Sequence, residues 1–115
     1  MIPDWETDCV YLSRLLVGRH PVLHQQLTGI LADHGVPVRL LDRPADIWAR
    51  DYCPVKVGNH QFVKFRYWPD YLRDRHKHLI TPAETICQQL DGLGQCRQSA
   101  LIVDGGNVIQ EHKGP

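Results

Sequence analysis

The spacing of apolar positions changes several times along this chain, and each change marks an element. Cys9-Val10-Tyr11-Leu12 is a short β-rich run and predicts a strand. Leu23, Leu27, Ile30 and Leu31 then recur at helical spacing, behind His20-Pro21, which puts proline at the first helical position. Gly35 is the stop signal. Val36-Pro37-Val38-Arg39-Leu40-Leu41 predicts a second strand, its proline marking an edge or a strand start. Val55-Lys56-Val57 and Phe62-Val63-Lys64-Phe65 flank Gly58-Asn59 and predict a hairpin. Residues 66–80 mix aromatics, charges and histidines without a period and read as loop. Thr81-Pro82-Ala83-Glu84 fits a capping box for a second helix, with Ala83, Ile86, Leu90 and Leu93 as its apolar face and Gly92 and Gly94 at its end. Ala100-Leu101-Ile102-Val103 is a continuous apolar run, expected to be a strand buried on both faces.

The order is strand, helix, strand, then hairpin, helix, strand. The two halves share little sequence, yet the element pattern recurs after about 50 to 60 residues, a period compatible with a repeat architecture. The fold class expected is α/β. With 115 residues the chain is one small domain, able to hide roughly two thirds of its unfolded surface without added staples.

Charge narrows the function. Thirteen basic and thirteen acidic residues give a formal net charge of zero, which argues against binding that rests on phosphate neutralisation. Arg66, Tyr67, Trp68, Tyr71, Arg73 and Arg75 do mix bases with aromatics as single-strand binders do, but Asp70 and Asp74 dilute that charge. No nucleic-acid partner is expected. No apolar run approaches the roughly 20 residues of a membrane span, so no membrane partner is expected either. The first residues, Met1-Ile2-Pro3-Asp4-Trp5-Glu6, carry acids where a signal peptide carries bases, and a cytoplasmic protein is expected. Cys9, Cys53, Cys87 and Cys96 stand at irregular spacing without a C-x-x-C pair and are expected as free thiols. His76-Lys77-His78 brings no third ligand, so it reads as a solvated loop; neither a metal nor a cofactor is expected.

Two compact signals carry candidate chemistry. In Trp48-Ala49-Arg50-Asp51, an aromatic, a guanidinium and a carboxylate sit within four residues. On a strand Arg50 and Asp51 would point to opposite faces, one structuring a site and the other meeting ligand. A carboxylate matches a guanidinium through paired N–H donors. A surface ion pair beside an anchoring tryptophan is the plainer alternative. In Asp104-Gly105-Gly106-Asn107, an acid follows the apolar run, at the carboxyl end where α/β ligand sites lie, and two glycines permit close approach. A simple turn is the plainer alternative there.

Together, the W-x-R-D-x-x-P pattern of Trp48 to Pro54 and the apolar strand ending in Asp104-Gly105-Gly106-Asn107 resemble the agmatine deiminase and bacterial peptidylarginine deiminase family. These are guanidino-group-modifying enzymes built as a five-bladed α/β propeller. The resemblance implies a partial propeller of about two strand–helix–strand blades with mixed sheets, blade one near 8–46 and blade two near 47–115. It implies that Asp51 grips the substrate guanidinium and that Asp104 helps orient a catalytic histidine. Trp48 and Arg50 would line or brace the pocket, and Gly105 and Gly106 would allow the backbone path. The substrate implied is a small guanidinium compound, agmatine, or a peptidyl-arginine, hydrolysed with release of ammonia.

The chain departs from that family at Cys53, where the family has glycine. The family's later His-x-Asp motif and nucleophilic cysteine have no counterpart among these residues. Cys53 lies near Arg50, which favours a thiolate, but no motif places a histidine for it. The chain alone is therefore expected to be inactive. The alternative is a non-catalytic module that keeps the fold and pairs with itself through uncovered blade edges.

Overall fold

The computed structural model describes residues 8–58, 60–90 and 95–109. Strand β1 (Val10–Ser13) is followed by two helices, α1 (Leu15–Arg19) and α2 (Pro21–Asp33), and by strand β2 (Val38–Leu41). The short helix α3 (Ala49–Tyr52) precedes β3 (Val55–Gly58) and β4 (Gln61–Arg66). Two 3₁₀ turns, Asp70–Leu72 and Lys77–Leu79, lead to α4 (Ala83–Cys87). Strand β5 (Gln95–Ile102) and a last 3₁₀ turn, Gly105–Asn107, close the described part. The protein is a mixed α/β molecule with two small sheets. In one, β1 and β2 run parallel; in the other, β3, β4 and β5 lie in that order, antiparallel and then parallel.

Helix α2 starts and stops as its local sequence dictates. Pro21 stands at its first turn. At the other end Val36 N–H bonds the Leu31 carbonyl at 2.8 Å and Gly35 N–H bonds Ala32 at 2.9 Å, with Gly35 at φ 67°. These paired bonds are a Schellman closure, and its left-handed position favours glycine. Of the expected apolar face, Leu27 and Leu31 are half-buried while Leu23 and Ile30 stay exposed. The crossover from β1 through both helices to β2 gives the parallel pairing Val10↔Val38 to Ser13↔Leu41.

The hairpin forms as expected, with Val55 opposite Val63 and Gly58 opposite Gln61. Asn59, the second expected turn residue, lies outside the described residues. So do Leu93, expected on the apolar face of the second helix, and Gly92 and Gly94, expected at its end. The core cluster joins Leu41, Tyr52, Tyr67, Ile86 and Leu90, with Tyr52 and Tyr67 packed edge to face at 6.0 Å. It therefore takes residues from β2, α3, the position after β4 and the α4 region, and Tyr11 of β1 and Phe62 of β4 pack against it.

Several expectations need correction. The capping box is not formed: the residue capping α4 is Pro82, with no side-chain cap bond. The Thr81 hydroxyl is instead fully buried and accepts Ala45 N–H at 2.9 Å. The region 66–80 holds two 3₁₀ turns rather than plain loop. Strand β5 begins at Gln95, and its apolar end is not buried on both faces: Leu101 and Ile102 are 63% and 48% exposed. Strand β4 covers one edge of β5, and among the described residues no strand covers the other. Finally, Cys87 and Cys96 are paired as a disulfide, while Cys9 and Cys53 stay free. The chain brings the end of α4 beside the start of β5, a proximity that cysteine spacing alone does not reveal.

Candidate functional site

The segment between β2 and α3 has no regular structure, yet it is tightly held. Asp46 is buried, and its Oδ1 accepts the Trp48 N–H at 2.8 Å. That bond folds Asp46-Ile47-Trp48 into a side-chain-closed turn. Ala49 N–H then bonds Ile47, Asp51 N–H bonds Trp48 and Cys53 N–H bonds Ala49, at 2.9 to 3.0 Å. Ala49–Tyr52 is consequently one helical turn, not the strand assumed above. Arg50 and Asp51 thus point roughly 100° apart rather than to opposite faces.

The 3₁₀ turn Gly105–Asn107 packs directly on α3. Gly106 N–H donates to Asp51 Oδ1 at 3.3 Å, and Arg50 Nη2 donates to the Val108 carbonyl at 3.4 Å. A Cβ on Gly105 would fall on the Arg50 carbonyl oxygen, and one on Gly106 would come within 2.6 Å of Asp51 Oδ1. The glycine pair is what lets these two backbones touch. The two sequence signals, 53 residues apart from Asp51 to Asp104, therefore meet in space.

Two of the aspartates in this corner are held above the usual carboxylate range. Asp104, half-buried, is held above the usual carboxylate range by burial first, then by the charges of Asp51 and Asp70. Asp46 is raised by its burial; the Trp48 N–H bond opposes that, and the Asp51 charge adds to it. The Cys53 thiol is pushed up to about 12 by burial, against a smaller opposing pull from Arg50. At neutral pH it is a thiol, so it is not an activated nucleophile.

Other assigned residues are placed less closely. Trp48 is 64% exposed and Arg50 is exposed, so neither is enclosed in a pocket. His76 and His78 are exposed with ring centroids 6.1 Å apart. Among the described residues no group of three His, Cys, Asp or Glu could hold a metal ion. No described helix is long and apolar enough to cross a membrane. Asp46, Tyr52 and Asp70 are not singled out by the sequence reading. Asp46 had a signal, an Asx residue two positions ahead of the Trp48 amide that it caps. Asp70 had none.

The chain matches no family model, and no curated protein or solved structure matches it.

Two outcomes follow from this packing. Gly105→Ala meets backbone that cannot swing away, so it destabilises by about 3 kcal/mol, whereas Gly106→Ala meets a side chain that can rotate and loses about 1 kcal/mol. Urea unfolding of both variants measures the order; equal losses would contradict the close approach. The second outcome concerns pH. Asp46 is raised in the folded state, so its contribution is fully present below its ordinary value of 3.8 and is lost as pH rises through the folded value. Asp46→Asn keeps an acceptor for Trp48 N–H without the charge. Thermal unfolding from pH 4 to 7 is therefore flatter in Asp46→Asn than in the parent, and identical slopes would show that Asp46 does not titrate this way.

Proposed function

We propose that this chain supplies the carboxylate half of a guanidinium site. On this reading it is the N-terminal part of a deiminase-like hydrolase, of the partial α/β-propeller type, acting on agmatine or peptidyl-arginine. The observation that carries the reading is the seating of the Gly105-Gly106 turn, which directly follows Asp104, on Arg50 and Asp51, with Asp104 raised by burial first and then by the charge of Asp51. Two carboxylates that repel each other in a partly dry setting are relieved by a cation. A guanidinium offers N–H donors that match carboxylate oxygens in pairs. Gly106 N–H fixes one oxygen of Asp51, which leaves further acceptor positions on that carboxylate for a ligand.

In the reaction such a site serves, a thiolate attacks the guanidinium carbon and ammonia departs with a proton from a histidine. Water then displaces the sulfur and releases the ureido product. Asp51 and Asp104 hold the cation in line for that attack. Cys53 is not the thiolate, because burial keeps it protonated. The isolated chain thus binds the guanidinium weakly and releases no ammonia. Amide NMR titration with agmatine is expected to shift Gly106 and its neighbours, and Asp51→Asn to weaken that binding about tenfold, as loss of a charge-assisted pair does. An unchanged affinity in Asp51→Asn, or ammonia release by the chain alone, would sink this reading.

A second reading rests on the outer edge of β5. That edge carries Leu101 and Ile102 in the open, and Ile109 follows, also exposed. An open edge with apolar side chains favours pairing with another copy. Sedimentation velocity over a range of concentrations is expected to show dimer for this non-catalytic module, and a monomer throughout would remove it.

A further inference from the structure

A second concavity lies away from the carboxylates. It is a cleft of about 430 Å³ between the end of β4, the 3₁₀ turn at Lys77 and the start of α4. That volume falls within the roughly 300–1,000 Å³ of small-molecule sites. Arg66, Lys77, Phe65, Trp68, Glu84 and Gln98 are among its walls.

The chemistry of these walls selects a ligand. Glu84, the acid in this set, is engaged by Lys64 at 3.1 Å. Arg66 and Lys77 are the cations in it. The Arg66 guanidinium stands over the Trp68 ring at 5.7 Å. A guanidinium drawn to a ring by its charge still has N–H donors for a planar oxyanion. The strand end is also well anchored: Arg73 donates from Nε and Nη2 to the Trp68 carbonyl at 3.2 and 3.0 Å. The backbone at Trp68 is thereby anchored. Phe65 adds a second aromatic wall and Gln98 an amide.

We propose that this cleft binds a small aromatic carboxylate, its carboxylate between Arg66 and Lys77 and its ring against Trp68 and Phe65. The preference is opposite in charge to that of the Asp51 and Asp104 site, so the two stand or fall separately.

The probe is sodium benzoate, followed by amide NMR on the full chain, against sodium chloride at equal ionic strength. Benzamidine, a cation of the same ring size, is the second arm. Benzoate is expected to shift Arg66, Trp68, Thr81 and Gln98 saturably below about 10 mM, an affinity modest for a ligand of that size. Lys77→Ala, on an exposed turn, and Arg66→Ala are each expected to raise the Kd about tenfold, with Arg66→Lys recovering only part, since lysine lacks the planar fork. Lys77→Ala keeps the test open if Arg66→Ala does not fold. The proposal is overturned if benzoate gives no more than chloride does, or if benzamidine shifts the same amides equally. An unchanged Kd in Lys77→Ala overturns it too.

Discussion

The bonds to Asp46 are what the rest of the structure leans on. Its backbone carbonyl accepts Ser13 Oγ at 2.9 Å and Tyr52 O–H at 3.1 Å, and its carboxylate accepts Trp48 N–H. Ser13 ends β1 and is buried; Tyr52 ends α3 and lies in the core. A carbonyl has two lone pairs, and here both are used by buried donors. One residue thus joins the two-stranded sheet to the helix that leads into the three-stranded one. Ala45 bonds Thr81 beside it, and Gln89 donates to the Asp42 carbonyl at 2.7 Å while accepting the Asp42 N–H. The linking segment needs no regular structure because its polar groups are met by side chains from both halves.

That constraint also sets the electrostatics. Closing the Asp46 turn determines where α3 begins, and so where Asp51 stands. A chain with zero net charge then has a locally acidic corner of Asp46, Asp51, Asp104 and Asp70, in which the first and third are held above their usual range. Arg50, adjacent in sequence, does not neutralise it; its guanidinium reaches the Val108 carbonyl instead. Overall charge therefore says little about what a given corner attracts. Charge separated within a molecule is what gives sites their selectivity.

Elements determined by neighbours in sequence were legible, and those determined by distant partners were not. Pro21 and Gly35 bound α2 because proline and glycine act on their own backbone. The β3–β4 hairpin followed from alternation and a glycine. By contrast, α3 exists through the Asp46 turn and its tertiary bonds, and the apparent capping box at Thr81 failed because that hydroxyl serves Ala45, 36 residues away. The run Ala100–Val103 told of apolarity but not of cover, and among the described residues no strand pairs with the outer side of β5. For the site, both motifs could be read, but their contact could not, since it depends on how two backbones fit together. The turn closed by Asp46 had a local signal in its place two residues ahead of the Trp48 amide, but its burial and its bonds from Ser13 and Tyr52 depend on distant packing.

The glycine pair shows what that fit does to a carboxylate. A carboxylate in water turns freely and is solvated on all sides, so a cation must order it as it binds. The Gly106 N–H holds Asp51 already, and the absence of a Cβ at Gly105 lets the turn carrying that N–H rest on the Arg50 carbonyl. One oxygen of Asp51 thus has a backbone partner in the folded chain. Asp104 comes into reach of Asp51 by the same approach, because it immediately precedes the turn and follows the end of β5. Tight packing of two backbones, which only glycine permits there, is what seats the turn that follows Asp104 against Asp51.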